Sequence, residues 1–396
     1  MELVIAQRDH WQTILRRQQL ANAKRWLSLI QHSEDSQQVI LENYDNLLRA
    51  LEFALQDVQT FHLSFELIQA LHTLVLGYAD WDRWLNYLET ALHTAQQLQD
   101  EAVCAHLLEQ CADVAFQMGD LARAKILYQR AGHIYERLHD RDNHARMLIK
   151  LGPILGSQGK LAEAIALCQQ AYKLAQSSGN RWLMASANLN LSHIQYTAYN
   201  WQVGLQAAQK AYDLYRAQNK PEFAAKALGN MITGWAQLQE WDKADVASAE
   251  LLEILTASGN IHALTVLKNT LGVIAYNQSN YRAAELAWQE ALQLAQQMQA
   301  PDQSASLYNN LGKLYTEMEE WGEAARMLEQ AIDIYQTLGD TYNWANSMDN
   351  LADLYEAQGL MALCRETLET AVSTLSTLEP NFHVQTLLQT MHQRLA

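Results

Sequence analysis

The chain repeats one short pattern every 40 residues, with no insertion or deletion between copies. Each copy begins with a large apolar or other bulky residue and has a small residue three positions later. A fixed period of this size is typical of solenoid proteins. Because each unit buries its apolar face only against its neighbours, we expect a stack of helices whose function lies on its surface. The seven copies are Leu121–Ala124, Leu161–Ala164, Trp201–Gly204, Trp241–Ala244, Tyr281–Ala284, Trp321–Ala324 and Met361–Cys364.

A second pattern, Leu followed by a small residue, lies at a constant distance before the first one. It is found at Leu151-Gly152, Leu191-Ser192, Leu271-Gly272, Leu311-Gly312 and Leu351-Ala352. Together the two patterns resemble the tetratricopeptide repeat. The resemblance implies an all-α fold, an α-solenoid built as a right-handed superhelix of helical hairpins with a 40-residue period. The usual repeat of that family is shorter, so the extra residues are expected in the helices or in the turns between units.

Extending the period in both directions divides the chain into three segments. Residues 63–380 are predicted to form eight tandem repeats, the first of them degenerate. Residues 1–62 lack the full pattern but have apolar residues at helical spacing, so we interpret them as an amphipathic helical lead-in. Residues 381–396 are predicted to form a lone first helix that caps the stack.

Composition limits the partners and the compartment. The chain has 28 Lys and Arg residues against 44 Asp and Glu residues, a formal net charge of −16, which repels phosphate backbones. We therefore expect no nucleic-acid partner. The four cysteines lack disulfide or zinc spacing and are expected to be reduced thiols, as in a cytoplasmic protein. No uncharged run approaches a membrane span and Leu3–Ala6 is too short for a signal peptide, so we expect no membrane partner.

Signals for catalysis and for metal binding are weak. The segment Gly152–Leu161 has glycines and a lysine, but their spacing differs from that of a phosphate loop and Leu161 replaces the required Ser or Thr. Two His and two Asp side chains occur in residues 139–144, yet such residues are common in polar turns. The repeat geometry assembles no Ser-His-Asp set and no Cys-His pair. We expect no metal, no cofactor and no enzymatic activity.

Asparagine recurs immediately before the Leu of the Leu-small pair. The family resemblance implies that this position faces a concave groove lined by the first helices. Asn is unfavourable inside a helix because its amide competes with backbone hydrogen bonds, but a carboxamide can grip the backbone of an extended peptide. The alternative is that these amides only hydrogen-bond the adjacent helix. The residues at this position are Gln110, Lys150, Asn190, Asn230, Thr270, Asn310 and Asn350.

Charged and polar residues occupy the neighbouring groove positions. Arg146, Lys150 and Lys226 make the early groove basic, which would select a carboxylate or an acidic segment. Solvated charges, or intramolecular pairs such as Lys313 with Asp353, account for these residues at least as well. The predicted peptide-binding residues are Arg146, Lys150, Asn190, His193, Lys226, Asn230, Asn309, Asn310, Lys313 and Asn350, with Asn269, Asp349 and Asp353 beside them.

These features predict a scaffold that binds a protein or peptide segment in its concave groove and acts as an adaptor or a regulatory subunit. Two alternatives remain open. The stretches Glu42–Leu55 and Trp81–Ala91 are similar to the segment that opens the repeat sensor arm of signal-transduction (STAND-type) ATPases, which implies a sensor arm that works with a separate ATPase or effector. A peptide-responsive phosphatase-like regulator would need a catalytic residue within residues 1–62, where Gln18, Gln19 and Glu42 are the candidates.

Overall fold

The computed structural model describes residues 2–32, 36–77, 80–378 and 382–396. In these ranges the chain consists of α-helices, one short 3-10 helix at Val58–Thr60 and the turns between them. This confirms the predicted all-α solenoid class. The helices are α1 (Glu2–His32), α2 (Ser36–Glu42), α3 (Tyr44–Leu55), α4 (Phe61–Leu76), α5 (Trp81–Gln97), α6 (Glu101–Gln117), α7 (Leu121–Arg137), α8 (Arg141–Ser157), α9 (Leu161–Ser178), α10 (Arg181–Thr197), α11 (Trp201–Ala217), α12 (Pro221–Gln237), α13 (Trp241–Ser258), α14 (Ile261–Asn277), α15 (Tyr281–Gln297), α16 (Pro301–Glu317), α17 (Trp321–Leu338), α18 (Thr341–Ala357), α19 (Met361–Leu375) and α20 (Phe382–Leu395).

The chain divides into two compact units. Unit 1 comprises Met1–Ile154 and Gln170–Leu183, and unit 2 comprises Leu155–Gln169 and Met184–Ala396. Within unit 2, consecutive helices from α11 to α20 pack against each other, and α16 also contacts α18. The predicted boundaries at residues 62 and 380 remain predictions, and residues 379–381 lie outside the described ranges.

The turns between the helices recur at a constant interval. Between Gln99 and Gly359, every twentieth residue has a positive φ, and six of these residues are glycines. In nearly all of these turns the residue after the left-handed one donates its N–H to a carbonyl five positions back, as from Asp120 to Ala115 at 2.9 Å, which closes the helix end. The structural period is therefore 20 residues, half of the 40-residue sequence period.

One N-cap residue follows each left-handed residue, and the next helix begins directly after it. At several of these positions an Asp or Asn side chain accepts a hydrogen bond from the N–H three residues ahead, as Asp100 does from Val103 at 3.0 Å and Asn260 from Ala263 at 3.0 Å. Each link thus needs only two or three residues, whereas α6 and α7 have 17 residues each. The residues added to the usual repeat lie in the helices and not in the turns.

The small residue of the Leu-small pair is where the two helices of a hairpin approach most closely. A Cβ atom added to Gly312 would lie 2.5 Å from Cγ of Leu328, and one added to Gly272 would lie 2.3 Å from the indole Nε1 of Trp288. Such distances are far below van der Waals contact. Trp288 and Leu328 are buried on α15 and α17. The pairs at 271–272 and 311–312 therefore set the distance between the first and second helix of their hairpins.

Candidate binding face

Asparagine amides on neighbouring first helices of unit 2 are hydrogen-bonded to each other. Asn310 on α16 donates through Nδ2 to Oδ1 of Asn269 on α14 at 2.9 Å. Asn350 on α18 donates in the same way to Oδ1 of Asn309 at 2.9 Å. Each bond spans 41 residues, one sequence period plus one position. We call this pair of cross-repeat bonds the amide ladder; it fixes the orientation of both donor carboxamides.

The amide ladder uses only part of each donor's hydrogen-bonding capacity. A carboxamide has two N–H groups and a carbonyl oxygen, so Asn310 and Asn350 each commit one donor to the preceding helix. Asn230 likewise donates to Oγ of Ser192 at 2.7 Å. These amides therefore do bond the adjacent helix, as the alternative hypothesis states, but with only part of their donors and acceptors. Asn309 is 9% exposed and accepts the bond from Asn350, so its carbonyl oxygen is used within the chain.

A cavity opens beside Asn350, between α16, α17 and α18. Its volume is about 520 Å³. It brings together two predicted site residues, Lys313 and Asn350, and adds Asp353 from the neighbouring groove positions. The cavity is lined by Lys313, Thr316, Glu317, Glu319, Trp321, Asn350, Asp353 and Ala357. We call it the α16–α18 cavity; its walls offer one cation, three carboxylates, an amide and an indole ring.

Lys313 and Asp353, named above as an example of an intramolecular pair, have different neighbours. Among the described side chains, no ion pair joins the two, and Asp353 lies instead 2.8 Å from Nη2 of Arg394 on α20. Lys313 is exposed, and its Nζ lies 5.5 Å from the centre of the Tyr276 ring. The ammonium thus has an aromatic neighbour that favours a cation but leaves it accessible.

One guanidinium faces three carboxylates of α18. Arg394 lies 2.6 Å from Asp349, 2.8 Å from Asp353 and 2.9 Å from Glu356. Burial raises the pKa of Asp353 to about 6, with the charge of Arg394 opposing the shift and that of Asp349 adding to it. Burial also raises the pKa of Asp349 despite Arg394. Three negative groups around one positive group explain why a single cation does not offset burial here.

The basic patch expected from Arg146 and Lys150 is neutralised in unit 1. Nη2 of Arg146 lies 2.7 Å from Glu109, and Nζ of Lys150 lies 3.0 Å from Glu109 and 2.6 Å from Asp113. Two cations from α8 thus meet two carboxylates from α6, which is the intramolecular alternative named above. These residues do not present free positive charge to an acidic ligand.

Further residues of unit 1, which the sequence did not indicate, surround Asp113. The indole N–H of Trp84 donates to Nδ1 of His72 at 3.1 Å, so the neutral imidazole has its proton on Nε2, 3.4 Å from Asp113. Tyr128 donates its hydroxyl to Asp113 at 2.6 Å. Burial alone would raise the pKa of Asp113, but the hydrogen bond from His72 and the charge of Lys150 lower it overall. The only sequence signal was Trp84, a large residue at a small-residue position.

The remaining predicted residues are more dispersed. His193 and Lys226 are exposed, and Nζ of Lys226 lies 5.2 Å from the centre of the Phe223 ring. Asn190 is half-buried and has a partner within the chain. In the N-terminal region Gln18 is exposed and Gln19 is half-buried.

Two further features of the described part of the chain concern metal ligands and membrane-spanning helices. No group of three or more His, Cys, Asp or Glu residues there could hold a metal ion. None of the described helices combines the length and apolar character needed to cross a bilayer. The four cysteines are buried, and burial raises the pKa of the Cys168 thiol to about 12.

The repeat is similar to that of a known family. The tetratricopeptide repeat model matches residues 102–177 and 262–337. These segments contain α6–α9 and α14–α17 almost completely. No protein of curated function matches the sequence of the chain.

Solved structures share the fold at low sequence identity. A Rap protein in complex with Competence and Sporulation Factor is 13% identical, with a TM-score of 0.56 over 82% of this chain and 99% of that chain. Aspartyl phosphate phosphatase F from Bacillus subtilis is 11% identical, with a TM-score of 0.58 over 90% and 93%. A STAND protein with a tetratricopeptide repeat sensor from Pyrococcus horikoshii is 15% identical, with a TM-score of 0.58 over 92% of this chain and 55% of that one.

Proposed function

We propose that this tetratricopeptide-repeat chain is a scaffold that binds an extended segment of another protein or a peptide along the first helices of unit 2. The proposed contact surface comprises the ladder donors Asn310 and Asn350, the α16–α18 cavity and Lys313. Binding would serve an adaptor or regulatory role. The observation that carries the proposal is the amide ladder, because it presents oriented carboxamides at a repeating interval.

The ladder favours peptide binding for a geometric reason. Each donor amide is held in one orientation by its neighbour, so little side-chain entropy is lost when it bonds a ligand. An extended peptide offers alternating N–H and C=O groups, which match the remaining N–H and carbonyl of each carboxamide whatever the peptide's side chains. The cavity beside Asn350 then offers room for one side chain of the segment.

The solved neighbours support a binding role by analogy of fold. One of them is a Rap protein complexed with Competence and Sporulation Factor, and another is a STAND protein with a tetratricopeptide repeat sensor. A net charge of −16 favours a protein or peptide partner over nucleic acid.

A regulatory action on a separate effector is the second candidate. It is favoured by the likeness to the STAND protein, which extends over 92% of this chain. The chain spans 55% of that protein's length. In this second candidate the chain acts on a separate ATPase or effector. The phosphatase-like alternative would place its catalytic group on α1 or α2, where Gln18 is exposed and Glu42 accepts a hydrogen bond from Gln38 at 2.8 Å.

The first proposal is tested with a display library of random linear peptides about a dozen residues long, panned on the full chain. Enriched peptides are then titrated by calorimetry against the wild type and against Asn310→Ala plus Asn350→Ala. Loss of two hydrogen bonds predicts an affinity about tenfold weaker. The matched control is Gln293→Ala, which removes an exposed carboxamide from the second helix α15. An equal affinity in the double variant and the wild type, or a library with no enriched peptide, would contradict the proposal.

A further inference from the structure

The same carboxylate pair occurs twice in the chain, at one repeat position. Glu109 and Asp113 lie on α6, and Asp349 and Asp353 lie on α18, six 40-residue periods later. In both cases the two carboxylates are four residues apart on a first helix, so they share one face of it. In both cases a cation from a later first helix reaches back to them. The first pair therefore shows how the fold completes such a site.

The pair in unit 1 is saturated with positive charge. Arg146 and Lys150 provide two cations for two carboxylates, and His72 and Tyr128 add hydrogen bonds to Asp113. The lysine ammonium bridges the pair, at 3.0 Å from Glu109 and 2.6 Å from Asp113.

The pair in unit 2 lacks those cations. Thr386 and Thr390 of α20 occupy the positions that correspond, six periods later, to Arg146 and Lys150. Arg394 replaces them from the following turn of α20, but it is one cation and Glu356 adds a third carboxylate. The pKa of Asp353 is raised to about 6, whereas the pKa of the equivalent Asp113 is lowered. For Asp353, burial outweighs the nearby charges of Arg394 and Lys313, whereas for Asp113 the hydrogen bond from His72 and the charge of Lys150 outweigh burial.

The α16–α18 cavity beside Asp353 has room for a further positively charged group. Asp353 has a side chain that is 48% exposed and lines the α16–α18 cavity, together with Glu317 and Glu319. Lys313 lies at the same cavity, so three carboxylates there meet one ammonium. Trp321 supplies an aromatic wall and Asn350 an amide that the ladder orients. An aromatic wall next to carboxylates is the usual surrounding of a bound guanidinium or alkylammonium group.

We propose that the α16–α18 cavity is a specificity subsite that binds the guanidinium or ammonium group of an Arg or Lys side chain from the bound segment. Asp353 and Glu317 are the counterions, Trp321 packs on the aliphatic part of the side chain, and Asn350 bonds the adjacent peptide backbone. This inference rests on the proposed function and specifies its ligand: a segment with a basic residue. The bound cation would form an ion pair with Asp353, as Lys150 does with Asp113.

The test uses two small probes that differ in charge and hardly in shape. Nα-acetyl-arginine methylamide and its citrulline analogue are titrated into the full chain at pH 7.5, with the indole N–H signal of Trp321 followed by NMR. The arginine probe is expected to shift that signal saturably and to bind about tenfold more tightly than the citrulline probe. Asp353→Asn and Glu317→Gln should each weaken arginine binding several-fold. Asp333→Asn, which removes an exposed carboxylate of α17 outside the cavity, should leave it unchanged.

The outcomes separate this inference from the proposed function. Equal binding of both probes, or arginine binding that survives Asp353→Asn and Glu317→Gln, overturns the subsite. If panned peptides bind through Asn310 and Asn350 but tolerate replacement of every Arg and Lys by citrulline and norleucine, the scaffold stands and the subsite is wrong. If no peptide is enriched while the arginine probe binds as expected, the subsite stands as a cation site and the peptide scaffold is wrong.

Discussion

At the scale of single residues, the same side chain type has different surroundings in different repeats. Asp113 and Asp353 hold equivalent positions, yet the first accepts bonds from a lysine, a histidine and a tyrosine, while the second shares one arginine with two other carboxylates. The asparagines at the groove position differ in the same way. Asn230 bonds a serine, whereas Asn310 and Asn350 each bond another asparagine. Function therefore has to be assigned by partner as well as by repeat position.

The raised pKa of Asp353 makes stability depend on pH. Its folded-state pKa is about 6, above the value of about 3.9 of an unfolded aspartate, so between these values the folded chain binds more protons. Stability contributed by this group is therefore present at about pH 4 and is lost as the pH rises through about 6. Because the Asp353 side chain is 48% exposed, solvent screening reduces the cost of its charge. Asp353→Asn, which removes the ionised form, should therefore raise the Tm at pH 7.5 by only about 1–3 °C, with a smaller gain at pH 5.

The measurement is thermal unfolding by circular dichroism at pH 5 and pH 7.5. Asp333→Asn is the control, because that carboxylate is exposed on α17 and should change the Tm by the same small amount at both pH values. Two results would show that Arg394 already compensates this carboxylate. The first is a Tm of Asp353→Asn below that of the wild type at pH 7.5, and the second is a difference in Tm that is the same at both pH values.

At the scale of helices and turns, the sequence predicted most of what the structure shows. The Leu-small pairs indicated where two helices approach, because glycine in these pairs leaves room for the side chain of the other helix. The breakers at 178–180 and 258–260 indicated where helices end, because glycine adopts the left-handed φ of the turn without strain. The sequence did not show that a turn of the same geometry follows every helix from α5 to α18. Eight of these turns have residues other than glycine at the left-handed position, and such residues give no local signal.

The left-handed turn positions predict opposite effects of two glycine substitutions. Gln239 is exposed with a φ of 59°, where a side chain is strained, and Gly359 has a φ of 75°. Gln239→Gly should stabilise the chain by about 0.5–1 kcal/mol, since relief of strain outweighs the added freedom of the unfolded chain. Gly359→Ala should destabilise it by about 1 kcal/mol, although nothing lies within 4 Å of the added Cβ.

Both turn variants are compared with the wild type by urea unfolding. Gly322→Ala is the control, because Gly322 lies inside α17 in open space and lacks a positive φ. There alanine should stabilise the helix by up to about 1 kcal/mol. If Gly359→Ala behaved like Gly322→Ala, the turns would not depend on the left-handed conformation.

At the scale of the whole molecule, two periods coexist. The turns recur every 20 residues, whereas the packing residues alternate between first and second helices and recur every 40. The sequence revealed the longer period because side-chain volume alternates with it. It could not reveal cross-repeat partners such as Arg394 with Asp353 or Asn350 with Asn309, since these depend on the helix length and on the offset between neighbouring first helices. The sequence therefore placed these residues on first helices but did not predict their bonding partners.

The two periods can be separated by internal deletion. Removing residues 241–280 deletes α13 and α14 and joins the end of α12 to α15, which keeps both the turn phase and the alternation of helix types. Removing residues 241–260 keeps the turn phase but places α14, a first helix, directly after α12, another first helix.

Stability in repeat proteins is close to a sum of nearest-neighbour interfaces, so the 40-residue deletion should remain helical and unfold cooperatively, with a Tm lower by up to about 10 °C. The 20-residue deletion should lose cooperative unfolding, because α12 would lose its second helix α13, whose Leu251 shares a core cluster with Ile232, and would face another first helix instead. Circular dichroism during heating measures both, and equal behaviour of the two deletions would mean that the turns alone specify the stack.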